Sequence, residues 1–465
     1  MSNFHEFPIM SELKNRGIPE KDKVISVEDW TKIFKNRPLA RSSHLKAHGS
    51  LLSSVGEAPN MRGMFNLFVM LLVTLNLRLV IENLIKYGWL IPNPISVLTV
   101  NQTYVPVYFI YLFLILFPGV TYAIEKFVSP RYEGRSFANI LHFFSVAFVA
   151  WLPYRAVANT DGFCAGSVPL LMCSAIYIMK IISYVQVCSD LHFAKRKGCL
   201  QNVISDKEEL AIAEKYPDCL TLRQWYDFVA FPTLNFQLRY PRTTRVSKIA
   251  VLRYCAEVVF CSGLITILAE QYMRPILVNA HIDMTRHYLA KSWTPLVALS
   301  IERWLKLIMP ALYLWLLSFV GVFHSYLNLL AELTKFADRR FYDDWWNAVG
   351  FRDYWQKWNL PVHRWMVRHI YGPFKSMGVP DMANAAIVFL LSGLVHEYII
   401  VVPLHLPMNG VVASAFLIQI PLIMITDTKF VKDRPVLGNC LFWFTNCFAG
   451  QPAAILIFFI LKQAS

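Results

Sequence analysis

The stretch Ala386–Leu404, AIVFLLSGLVHEYIIVVPL, is apolar along nearly its whole length yet holds two ionisable residues, His396 and Glu397, near its middle. Its length matches the ~20 residues a helix needs to cross a bilayer. Ionisable side chains at such depth cost at least ~2.5–3.5 kcal/mol each and face a cavity or a bundle interior, so this pair is a candidate functional centre.

Outward from it, the rest of the chain has the same character. Of 465 residues, 55% are hydrophobic and only 16% are charged, and the mean hydropathy is +0.40. A soluble protein of this length is not so apolar. The expected fold is therefore an all-α polytopic membrane protein. Runs long enough to span lie at about 63–83, 104–124, 137–157, 168–188, 249–271, 294–330, 382–404, 411–426 and 436–461, judged against ~20 residues per crossing. That predicts nine spans in a domain covering 63–465, preceded by a polar arm, 1–62. The sixth run is too long for a simple crossing and is expected to tilt or to break near Pro310. Arg78 in the first span is placed to pair with Glu82 one turn later.

The net charge of +14 is explained by topology and by anionic partners at the membrane surface rather than by nucleic acid. Basic residues collect in alternate loops: Lys126 to Arg135, Lys195 to Arg245, Arg339 to Arg368, and Lys429 to Arg434. The positive-inside rule then sets the N-terminus in the cytosol and the C-terminus in the lumen. No cleavable signal peptide is visible in the polar first sixty residues. The nine cysteines lack metal-ligand spacing and read as core residues or reduced thiols, and no metal is expected. Asn101-Gln-Thr103 is a formal sequon set against the second span, where use is not expected.

Two cytosolic loops, 189–248 and 332–381, are too large to be connectors. The first contains an aromatic and basic stretch, Tyr216 to Arg242, suited to lying in the interface. The second sets Trp345, Trp346, Trp355, Trp358 and Trp365 among arginines. Tryptophans at that density anchor a segment at headgroup depth, and the arginines can bind phosphate.

At the centre, His396 lies about fourteen residues into its span, roughly 20 Å from the cytosolic start. Ser392, four residues earlier, shares its helical face, and Glu397 is rotated by roughly 100°. A zinc site of the HExxH kind fails because Ile400 stands where the second histidine is needed. A Ser392–His396 nucleophile pair is conceivable, although membrane serines commonly bond their own backbone. A lone histidine acting as general base is the simplest reading. Glu397 is either a charged partner or a protonated hydrogen-bonder. For His142 and His324 the expectation is a buried imidazole satisfied by a neighbour.

FYDDWWN (Phe341–Asn347), WNLPVHRW (Trp358–Trp365) and HEY after an apolar half-helix resemble the membrane-bound O-acyltransferase family, in its acyl-CoA:diacylglycerol and sterol acyltransferase branch. Pro361, QIPL (Gln419–Leu422), GQP (Gly450–Pro452) and RLVIENLIKYG (Arg78–Gly88) are similar to the diacylglycerol side of that branch. The likeness runs from roughly His48 to the end, and these motifs are specific in combination.

The resemblance implies nine spans around an intramembrane chamber in the endoplasmic reticulum membrane, and acyl transfer from acyl-CoA to the hydroxyl of diacylglycerol with no cofactor. It implies that His396 is the catalytic histidine. By the same likeness Phe341, Tyr342, Asp344, Trp345, Trp346, Asn347, Trp358 and Tyr371 serve acyl-CoA binding. Asn359 and His363 would then lie near the thioester, and Ser392, Glu397, Gln419 and Gln451 would line the reaction centre. Asn359 or Gln451 is the expected oxyanion donor. A homodimer or homotetramer through the N-terminal arm is also implied. Asp381, where a base would suit a CoA phosphate, departs from the pattern. A sterol or long-chain alcohol acyltransferase differs only in acceptor, and a transporter is the non-enzyme alternative.

Overall fold

The computed structural model describes residues 62–91, 104–128, 134–160, 166–204 and 206–464. The arm and the sequon lie outside them, and with them the expectation of an arm-mediated interface. The chain divides into two units, 1–75 and 76–465, and all packing below lies within the second.

Among the described residues, eight helices are long and apolar enough to cross a membrane, the first at Leu67–Tyr87 and the last at Pro435–Lys462. The ninth expected crossing, 411–426, is instead a short apolar segment made of two helices, Val411–Leu417 and Gln419–Thr426. Together they hold too few residues for a full crossing at ~1.5 Å each.

Two helices exceed expectation. Lys248–Leu289 and Trp293–Thr334 have 42 residues each, about 63 Å at the α-helical rise, roughly twice the hydrocarbon thickness. Arg274 and Arg286, which fall between the expected fifth and sixth spans, lie on the first of them. The second runs unbroken through Pro310, and its irregularity is a π-helical segment, Phe319–Tyr326. Nor do Arg78 and Glu82 pair: among the described residues no ion pair joins them, and both side chains are exposed.

Both large loops fold as protein core. In the first, the amphipathic helix Leu222–Ala230 buries Trp225 and Phe228, which pack with Tyr184 of the fourth span and with Phe236. Lys180, buried in the fourth span, donates to the carbonyls of Phe228 (2.7 Å), Val229 (3.0 Å) and Phe231 (2.7 Å). A cation there meets the negative end of the helix dipole and satisfies its orphan carbonyls. The expectation of an interfacial stretch is corrected, because the same aromatic density that suits a headgroup layer also builds a core.

The fourth span acts as a ruler for the rest. Ser174 Oγ lies 3.5 Å from Tyr398 Oη of the histidine helix, Asp381–Val401. Trp365 Nε1 donates to the Met179 carbonyl (2.8 Å), and His369 Nδ1 meets Gln186 Oε1 at 2.6 Å. Five residues separate Ser174 from Met179, about 7 Å along the axis. The second loop thus reaches inward to within about two helical turns of the level of His396.

Candidate active site

His396 Nδ1 lies 2.7 Å from the carbonyl oxygen of Ser392. A carbonyl only accepts, so Nδ1 carries the proton and Nε2 keeps its lone pair. Among the described residues Nε2 has no hydrogen-bond partner, and neither has the Ser392 hydroxyl. The serine holds the imidazole through its backbone, and the two side chains form no nucleophile pair.

The imidazole lies against the ring of Phe416, with centroids 4.5 Å apart and planes inclined by 32°. Phe416 in turn meets Trp355 at 5.8 Å. Trp355 Nε1 donates to Gln419 Oε1 at 3.4 Å, which brings Gln419 into the same wall. Gly393 lets the short helix approach this closely, since a Cβ on it would fall 2.7 Å from Ala413 Cα.

The second loop supplies an aromatic block beside it. Trp345 is 2% exposed and packs with Trp315, Phe319, Tyr354, Trp358 and Trp443. Trp358 stacks on Trp315 at 4.9 Å and 13°. The Gln451 amide faces this block: with its oxygen and nitrogen assigned to match their neighbours, the nitrogen donates to the Ala311 carbonyl and the oxygen accepts from Trp315 Nε1, both at 3.2 Å. Asn359 uses Oδ1 to accept from Val362 N–H (3.2 Å), capping the helix Leu360–Met366. Its Nδ2 has no partner among the described residues.

The remaining expected residues separate into two groups. Phe341 is buried with Phe231 and Phe336, and the Tyr342 hydroxyl bonds His324 Nδ1 at 2.7 Å. Those contacts are packing. Asp344, Trp346 and Asn347 are exposed. Asp344 is paired with Lys357 at 3.1 Å, and Asn347 Nδ2 donates to Asp344 at 3.4 Å. The backbone beneath them is clamped to the last span, where Asn439 Nδ2 donates to the carbonyls of Trp346 (3.1 Å) and Ala348 (2.9 Å). His363 is half-buried, and its pKa is lowered by burial and by Arg364. Tyr371 donates to Asp381 at 2.7 Å, and Lys375 pairs with the same carboxylate oxygen. Asp381 thus ties the start of the histidine helix to the loop.

The arginines expected to be open to phosphate are already engaged. Arg339 pairs with Glu332, Arg340 with Asp343, Arg352 with Asp427 and Arg364 with Asp338. A cleft between the two loops is lined by Asn235, Asp338, Arg340 and Arg364 among others, but by no residue of the histidine helix.

Several buried groups have partners that the sequence did not show. Glu125, Arg135 and His142 form a sealed ion cluster, with Arg135 Nη1 to Glu125 Oε2 at 2.9 Å and His142 Nε2 to Glu125 Oε1 at 2.8 Å. His142 thus meets Glu125 through Nε2 and half-buried His324 meets Tyr342, while His142 Nδ1 is buried without a partner among the described residues. His369 is buried on Gln186, and desolvation followed by Arg368 pulls its pKa down to about 4, so it is neutral at neutral pH.

A prediction arises from the two adjacent tryptophans. Trp345→Ala empties a buried aromatic site and should cost about 3–5 kcal/mol, seen as poor expression or a lower melting temperature. Trp346, 44% exposed, should tolerate alanine in folding, and on the expectation that this face binds acyl-CoA the variant should show a raised KM. Unchanged acyl-CoA kinetics in Trp346→Ala would leave that face without a ligand role.

The pattern of the membrane-bound O-acyltransferase family matches residues 133–459. The chain is 33% identical over 444 residues to diacylglycerol O-acyltransferase 1 of Corylus americana, covering 94% of this chain and 80% of that one. It is 35% identical over 399 residues to diacylglycerol O-acyltransferase 1C of Glycine max, covering 85% and 74%. It is 34% identical over 411 residues to diacylglycerol O-acyltransferase 1 of Dictyostelium discoideum, covering 88% and 64%.

Proposed function

Because the chain belongs to the membrane-bound O-acyltransferase family, we propose that it transfers a fatty acyl group from acyl-CoA to the free hydroxyl of diacylglycerol, making triacylglycerol. The observation that carries this reading is the tautomer of His396, with Nδ1–H held by the Ser392 carbonyl and Nε2 left with an open lone pair inside a membrane-spanning helix. The names of the relatives from hazel, soybean and slime mould support the choice of diacylglycerol as acceptor.

In the proposed reaction the diacylglycerol oxygen attacks the thioester carbon as its proton passes to Nε2. The tetrahedral oxyanion collapses, the carbon–sulfur bond breaks, and CoA leaves as thiolate, to be protonated by the imidazolium. No acyl-enzyme or cofactor is needed. Asn359 is a better oxyanion donor than Gln451, because its Nδ2 is open while the Gln451 amide is already spent on Ala311 and Trp315. Acyl-CoA is taken to approach from the cytosolic face across the second loop. With it go a cytosolic N-terminus, a lumenal C-terminus, an endoplasmic reticulum location, and a homodimer or homotetramer through the N-terminal arm.

Purified protein given labelled acyl-CoA and a panel of diacylglycerol, cholesterol and a fatty alcohol should make triacylglycerol as the dominant product. Sterol ester in equal or greater yield would overturn the acceptor assignment. No ester at all would overturn the reading.

A further inference from the structure

Glu397 follows the proposed base in sequence but leaves the helix on another face. It is 1% exposed, and among the described residues no cation pairs with it. Both carboxylate oxygens instead accept backbone N–H groups across the turn, Oε1 from Gly410 and Oε2 from Ala413 (3.3 Å). These are orphan donors at the start of the helix Val411–Leu417, where a negative charge also meets the positive end of the dipole.

The short helix is therefore fixed in two ways. Glu397 holds its first turn, and Gly393 sets its distance, since a Cβ there would fall 2.7 Å from Ala413 Cα and 3.1 Å from Phe416 Cβ. Phe416, three residues beyond Ala413, is the side chain that this helix lays on the His396 ring. The order of contacts runs from Glu397 to the helix N-terminus, then to Phe416, then to the imidazole.

We infer that Glu397 is a positioning residue: through the short helix it presses Phe416 against His396 and so fixes the direction in which Nε2 faces the acceptor hydroxyl, without touching substrate. The inference rests on the proposed acyl transfer with His396 as base. It gives Glu397, which the resemblance sets at the lining of the reaction centre, a role without contact to substrate.

The test compares wild type with Glu397→Ala, Glu397→Gln, Gly393→Ala and Phe416→Ala, all as purified full-length protein. Loss of two N–H contacts to a carboxylate should lower kcat about 100-fold in Glu397→Ala with acyl-CoA KM unchanged. Glutamine keeps one acceptor and should recover about tenfold of that loss. Gly393→Ala and Phe416→Ala, which disturb the same helix from its other contacts, should reproduce the fall in kcat. Carbethoxylation of His396, followed by peptide mass analysis, should be faster in Glu397→Ala and Phe416→Ala than in wild type.

Were Glu397→Gln as inactive as Glu397→Ala while Gly393→Ala and Phe416→Ala stayed near wild type, the carboxylate would act directly and the inference would fall. Unchanged labelling of His396 in both Glu397→Ala and Phe416→Ala would overturn it as well. If Glu397→Ala does not fold, Glu397→Gln, Gly393→Ala and Phe416→Ala decide by the same two readouts. An inactive wild type would instead remove the proposed function, which the labelling comparison does not depend on.

Discussion

His396→Ala is expected to abolish triacylglycerol synthesis while leaving the protein folded and able to bind acyl-CoA. Loss of a general base lowers the rate by ~10²–10⁴, and three other buried or half-buried histidines are held by partners of their own. The sealed His369 holds Gln186, while His142 and His324 are bound to Glu125 and Tyr342. The fold should survive because, among the described residues, the side-chain hydrogen bond lost is to a Ser392 carbonyl that already serves its own helix. The sharper variant is His396→Gln, which keeps a polar side chain of similar reach but has no basic nitrogen. It should be as inactive as alanine, with a melting temperature within a few degrees of wild type and unaltered acyl-CoA binding. Near-normal synthesis by either variant would remove His396 from the mechanism, and collapse of both proteins during purification would make the residue structural.

What the sequence made legible here is what depends on one helix at a time. An apolar run of 21 residues is a span whatever surrounds it, and Ser392 and His396 share a face because they are four apart. The partner of Glu397 was hidden because it is a pair of backbone N–H groups beyond a turn, and backbone donors are identical in every sequence. The shortness of 411–426 was hidden for a related reason: composition measures apolarity, while the distance actually crossed depends on the break at Ile418 between its two helices. Aromatic density misled in both loops. Trp345 and Trp346 are adjacent and chemically identical, yet one is core and the other surface, a difference set by Trp315, Phe319 and Trp443 from distant parts of the chain.

Arg135 was read as one of the positive charges that fix topology, but it is buried with Glu125, and this sets up an effect on stability as large as that of Trp345→Ala. Glu125 is 0% exposed and accepts from both Arg135 Nη1 and His142 Nε2, while Arg135 Nη2 donates to the Val185 carbonyl at 2.8 Å. The cluster therefore joins the ends of the second and third spans to the fourth. Because the fourth span also carries the contacts of Ser174, Met179, Lys180 and Gln186, loosening it should disturb both loops. Arg135→Met keeps most of the side chain's volume but strands a buried carboxylate, which should cost about 3–5 kcal/mol. Glu125→Gln alone leaves the guanidinium without its charge partner and should be damaging by a similar mechanism. Combining the two removes both charges, and the double variant should recover at least half of the loss, a coupling that a double-mutant cycle on thermal unfolding in detergent would measure. A melting temperature for Arg135→Met equal to wild type would show that the pair contributes nothing. Additive losses in the double variant would show that each residue acts through other neighbours, with Arg135 working mainly through Val185 and the attachment of the fourth span.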